Sequence, residues 1–144
     1  MSLRLDHIGI AVPDLEAARA QFATLLDLPA SPVEEIASEG VRVSFFEVEG
    51  CRIELLAPTS PDSPIHRFLT SGRAGVHHIS FAAEPGGLPP LLERFLENGV
   101  QVLLDTTGQH LRPAADDKHA LFLRPREAAG VLLEFTAPRG LQDQ

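Results

Sequence analysis

Tryptophan and tyrosine are absent from the chain, so eight phenylalanines are its whole aromatic complement. Cysteine occurs once, as Cys51, which excludes an internal disulfide and favours a soluble, cytoplasmic protein. No apolar run reaches the ~20 residues of a membrane-spanning helix, and the opening Met1-Ser2-Leu3-Arg4-Leu5-Asp6 lacks the pattern of a signal peptide. Basic charge is scarce: 12 Lys and Arg face 20 Asp and Glu, a net charge of −8. That balance argues against a general nucleic-acid binder, which needs a basic face. Lysine is confined to Lys118, so almost every cation is a fork-shaped guanidinium suited to carboxylates and phosphates. What is present, 44% hydrophobic and 22% charged residues over 144 positions, is the range of one globular domain with a sizeable core.

An internal repeat organises that domain. Leu5-Asp6-His7-Ile8-Gly9-Ile10-Ala11-Val12 aligns with Val76-His77-His78-Ile79-Ser80-Phe81-Ala82-Ala83, and Cys51 to Pro58 aligns with Val131 to Pro138. The first pair aligns His7 with His78 and the second Glu54 with Glu134, in the same order in each half. The reading is a single domain, 1–144, made of two modules at about 1–58 and 74–138, with Pro58 to Pro64 as linker. Between the anchors, Asp14 caps an expected helix that carries Leu15, Ala18, Phe22, Leu25 and Leu26 on one face. Leu88, Leu91, Leu92, Phe95 and Leu96 repeat the pattern, with Gly99 suited to the helix end. Val41 to Val48 and Cys51 to Ala57 read as strands joined by a Glu49-Gly50 hairpin turn. Ala120 to Arg124, Val131 to Thr136 and Val100 to Leu104 read as further strands, and Thr106 to Lys118 as a polar loop. Ser63 and Pro64 suit the start of a short helix through Ile65, Phe68 and Leu69.

Four residues carry the chemical interest. Alternation places His7 with Gly9 and Ala11 on one strand face, and His77 opposite to His78. Glu54 and Glu134 each interrupt an apolar strand, where a charge needs a cation, a metal or hydrogen bonds; the alternative is a sheet face open to solvent. If the two modules are related by a pseudo-twofold, His7, Glu54, His78 and Glu134 meet near the local axis. Two imidazoles and two carboxylates suit Mn, Fe, Co, Ni or Zn with open positions, unlike a closed structural zinc site built on thiolates. Competing groups are weaker. Cys51 has no evident base, Ser60 and Ser63 suit caps, Gly86-Gly87 could offer backbone donors, and Asp116-Asp117 reads as a solvated turn. His110 and His119 stand in or beside the loop, where they could reach a substrate, and Arg42, Arg52, Arg67, Arg73, Arg112, Arg124 and Arg126 could bind an anionic ligand.

On these segments, together with Gly40-Val41-Arg42-Val43, Ser63-Pro64-Ile65 and Gly130-Val131-Leu132-Leu133-Glu134, the chain resembles the vicinal-oxygen-chelate superfamily, which includes the glyoxalases. Within it the chain is similar to the methylmalonyl-CoA epimerase branch, and the resemblance runs through nearly its whole length. It implies an α+β fold of paired βαβββ modules in a cupped, mixed sheet, usually as a homodimer. It also implies a divalent ion, Co, Mn, Ni or Zn, held by His7, Glu54, His78 and Glu134. The implied substrate is an acyl-CoA thioester, with Glu134 as one catalytic base and Glu54 as the second. A glyoxalase-I-like lactoylglutathione lyase and a non-catalytic binding module share the fold and are the alternatives. Two departures from the epimerase pattern stand out: Val43 where some members carry a further glutamate, and the long 107–118 segment in place of a short glycine-rich loop.

Overall fold

The computed structural model describes residues 2–73, 75–114 and 117–140. Ala115 and Asp116 of the expected loop and turn lie outside them. The first half of the chain contains β1 (Leu3–Ala11), α1 (Leu15–Leu26), β2 (Glu34–Ile36), β3 (Val41–Val48), β4 (Cys51–Pro58) and α2 (Pro64–Thr70). The second contains β5 (Gly75–Ala83), α3 (Leu88–Glu97), β6 (Arg112–Ala114), β7 (Lys118–Leu123) and β8 (Leu132–Pro138). The strands form a mixed eight-stranded sheet in the order β2-β3-β4-β1-β5-β8-β7-β6, so the expected α+β class with a mixed sheet is what is found. Two compact units divide the chain: His7–His77, and the described residues of Met1–Asp6 with His78–Gln144.

In the His7–His77 unit, β1 runs parallel to β4, while β3 pairs antiparallel with both β4 and β2. The β3–β4 turn places Glu49 at φ 47° and Gly50 at φ 84°, the left-handed pair that matches the twist of a two-residue hairpin. Strand alternation then sorts the side chains. Ile10, Ile53, Leu55, Ala57 and Phe46 face α1, where they bury Leu15 and Ala18 and half-bury Phe22. Each fully buried Leu or Phe of this kind contributes about 1.5–3 kcal/mol relative to exposure. The opposite face presents Ala11, Val41, Val43 and Leu56 to α2, which contributes Ile65, Phe68 and Leu69. Both short-range caps form as expected: Asp14 accepts from the Ala17 N–H at 3.0 Å, and Ser63 Oγ accepts from the Ile65 N–H at 3.2 Å. The expected apolar face of α1 ends early, because Leu25 is 69% exposed and Leu26 is 37% exposed. Leu25 and Leu26 both belong to the last turn, before Asp27 adopts φ 53°.

The other unit repeats the plan. β5 runs parallel to β8, and β7 pairs antiparallel with β8 and β6. Ala83, Leu121, Leu123, Phe135 and Ala137 pack under Leu88 and Leu91 of α3. Phe95 and Phe81 meet the Phe135 ring at centroid distances of 5.2 and 5.6 Å. Past the Asn98 cap, Gly99 takes φ 73° to leave the helix. Here two expectations fail. Val100 to Leu104 is not a strand; it contributes one bridge, Val102 to Leu123, and a Leu103 N–H to Phe122 carbonyl bond of 2.9 Å. The reason is that β6 occupies the same outer edge of β7 nearer its start, opposite Lys118–Ala120. That strand arises inside the expected loop, and its Pro113 is tolerable because edge positions need not donate on both sides.

Candidate functional site

Register decides which polar residues share a sheet face. In the His7–His77 unit, His7 stands opposite Arg52 and Gly9 opposite Glu54. His7 and Gly9 are two apart and point the same way, so His7 and Glu54 project from one face of neighbouring parallel strands. Both are buried, 9% and 8% exposed, among neighbours that give a bare charge no water. Their ligand atoms, an imidazole nitrogen and a carboxylate oxygen, lie within 4.8 Å of each other. Phe45 is also opposite Glu54, across β3, and the Arg52 guanidinium lies over its ring at 4.6 Å.

The second unit reproduces this pattern one residue at a time. His78 stands opposite Leu132 and Ser80 opposite Glu134, so His78 and Glu134 again share a face across a parallel pair. His78 is 9% exposed, Ser80 is fully buried and Glu134 is half-buried. Phe122 takes the place of Phe45, opposite the glutamate, and Arg112 lies over it at 5.0 Å. Each unit therefore carries a histidine, a glutamate, a phenylalanine and a stacked arginine on one face. The alternative of a glutamate face open to solvent does not describe Glu54.

A histidine–carboxylate pair held this close offers the borderline N and O donors that divalent transition ions take. Its fit to such an ion rests on those donors and their burial. His77 is separated from this chemistry. It points to the other face of β5, and its ring meets Phe68 edge-on at 4.9 Å. Burial first, and the Arg73 charge second, hold its imidazole below the ordinary histidine value.

Cys51, Ser60, Ser63 and Gly87 have structural explanations. Cys51 is a free, half-buried thiol whose Sγ lies 3.8 Å from the Arg52 carbonyl. Ser60 and Ser63 hold turn and cap N–H groups. Gly87 is required sterically, since a Cβ there would come within 2.9 Å of the Glu84 carbonyl. Among the described residues no helix is long and apolar enough to cross a membrane. Ser80 and the Arg–Phe stacks were not singled out from sequence; only the strand register shows that they flank the glutamates.

Comparison with known proteins completes the description. The profile of the Glyoxalase/Bleomycin resistance protein/Dioxygenase superfamily matches residues 6–122. The ethylmalonyl-CoA/methylmalonyl-CoA epimerase of Cereibacter sphaeroides is 38% identical over 133 residues, covering 92% of this chain and 96% of that protein. Among solved structures, a hypothetical protein from Bacillus halodurans aligns with a TM-score of 0.84 at 35% identity, over 96% of each chain. A variant of the Streptomyces coelicolor methylmalonyl-CoA epimerase in complex with 2-nitronate-propionyl-CoA aligns with a TM-score of 0.81 at 29% identity, over 95% of this chain and 96% of that one. The chain belongs to the glyoxalase/bleomycin resistance protein/dioxygenase superfamily, with methylmalonyl-CoA epimerases among its close relatives and its structural neighbours.

Proposed function

We propose that the protein is a metal-dependent isomerase that epimerises C2 of methylmalonyl-CoA or a similar 2-substituted malonyl thioester, acting in the cytoplasm as a homodimer. The observation that carries the reading is the repeated register: each unit sets one histidine and one glutamate on a single sheet face. His7, Glu54, His78 and Glu134 are the proposed ligands of one divalent ion, Co, Mn, Ni or Zn. Such an ion, when bound, supplies a Lewis acid for the developing negative charge on the substrate's oxygens. The relatives named above support the acyl-CoA substrate.

The chain's own residues then handle the proton. The C2–H bond lies between a carboxylate and a thioester carbonyl, so its electron pair can pass to the thioester oxygen when the proton leaves. Glu134 receives that proton on its carboxylate. Return of a proton to the opposite face of C2 gives the epimer, and Glu54, which holds the matching place in the other unit, is the second acid–base group. Glu134 is the more open of the two, half-buried against a buried Glu54, which suits it to reach the substrate.

Solvent exchange tests this directly. Metal-loaded protein in deuterated water is expected to place deuterium at C2 of methylmalonyl-CoA, with Glu134→Gln slowing exchange by about 10²–10⁴-fold while the fold survives. Undiminished exchange in that variant removes Glu134 from the reaction. Turnover of a glutathione hemithioacetal with no action on methylmalonyl-CoA overturns the epimerase reading in favour of a lyase.

A further inference from the structure

Among the described residues, Arg112 of the second unit has no ion-pair partner. Arg112 lies on β6, opposite Ala120, which is opposite Thr136; Thr136 is two residues from Glu134. The guanidinium thus belongs to the sheet face of Glu134, and it rests on the ring of Phe122, the residue directly across from that glutamate. Its Nε is buried without a hydrogen-bond partner, and among the described residues no hydrogen bond or ion pair ends on the side chain. Some other arginines are engaged: Arg19 with Ser44 and Glu16, Arg42 with Glu16, Arg126 with Gln101. The Asp105 carboxylate, whose charge reaches Arg112, makes no hydrogen bond or ion pair to it, and its Oδ1 accepts from the Thr107 N–H, the Thr107 hydroxyl and the Gln109 N–H at 2.7–2.9 Å. A guanidinium stacked on an aromatic ring keeps its in-plane N–H fork open, and that fork matches a carboxylate.

We propose that Arg112 is a specificity-determining residue that grips the free carboxylate of the acyl substrate beside Glu134. This deepens the acyl-CoA reading and rests on it. In a 2-substituted malonyl thioester the carboxylate is bonded to C2 itself. Holding it over Phe122, one strand from Glu134, therefore brings C2 to the base. A plain acyl thioester offers no such handle. The 107–118 segment supplies this residue.

The test is calorimetric titration of the full, metal-loaded chain with malonyl-CoA and with propionyl-CoA. Arg112→Met is expected to weaken malonyl-CoA by about 10–100-fold and to leave propionyl-CoA within about twofold. Arg112→Lys is expected to recover part of the loss, since it keeps the charge and loses the fork. KM for methylmalonyl-CoA should rise more than kcat falls. Equal weakening of both thioesters assigns Arg112 to the phosphates of coenzyme A and overturns the proposal. Unchanged malonyl-CoA affinity in the Met variant also overturns it, while leaving the acyl-CoA reading intact. Wild-type protein that binds neither thioester brings down both. Melting temperature and metal content are measured alongside; if Arg112→Met unfolds, Arg112→Lys decides by the same comparison.

Discussion

Gly9 and Ser80 hold matching places, each in register with the glutamate of its own unit. Nothing hangs from the first, whereas the second carries a hydroxyl that is fully buried with no hydrogen-bond partner among the described residues. An unmet donor of that kind costs about 1–3 kcal/mol of desolvation. Ser80→Ala is therefore expected to melt at the same temperature as the parent or a few degrees higher, as read by calorimetry. A clear drop would mean that the hydroxyl is bonded in solution. His7, Glu54, His78 and Glu134 were legible in the sequence because a repeated polar residue inside an apolar strand is chemically conspicuous. Arg112 was legible only as one of several arginines able to bind an anion. What distinguishes it is a ring beneath it together with a buried Nε that has no acceptor among the described residues, and both follow from strand pairing rather than local composition.

At the scale of elements, legibility tracked how much of the instruction is local. The Asp14 cap, the Ser63-Pro64 start and the Glu49-Gly50 turn are each set within a few residues, and each was foreseen. Asp14→Ala should cost about 1 kcal/mol, measured by urea denaturation, because it strips the acceptor from the Ala17 N–H. Short edge strands obey the edge of a neighbouring strand instead. Glu34–Ile36 has no apolar alternation and becomes β2 only by pairing with Ile36 opposite Val41 and Glu34 opposite Val43. Arg112–Ala114 contains a proline and is held by β7, while the more apolar Val100 to Leu104 gains only a bridge. Propensity lost to the geometry of the available edge.

For the molecule as a whole, the two units carry separate cores and the same strand plan. Ligands that bind only the folded chain raise its stability by mass action. The proposed ion at a hundredfold excess over its Kd should thus add about 2.7 kcal/mol, or roughly 5–10 °C in melting temperature. Chelation should reverse that gain, and His7→Ala should abolish it together with metal content measured by mass spectrometry; a variant that retains one ion per chain would strike His7 from the ligand set. The parallel pairing of β1 with β4 has a further result. His7 must find Arg52 across the full length of the intervening helix and hairpin, whereas β3 and β4 need only close two residues. Contacts of such long sequence separation form late and slowly. During synthesis, then, the hairpin can assemble as soon as it emerges, while β1 waits unpaired for its neighbour, and within its own unit the histidine it carries is placed after the hairpin.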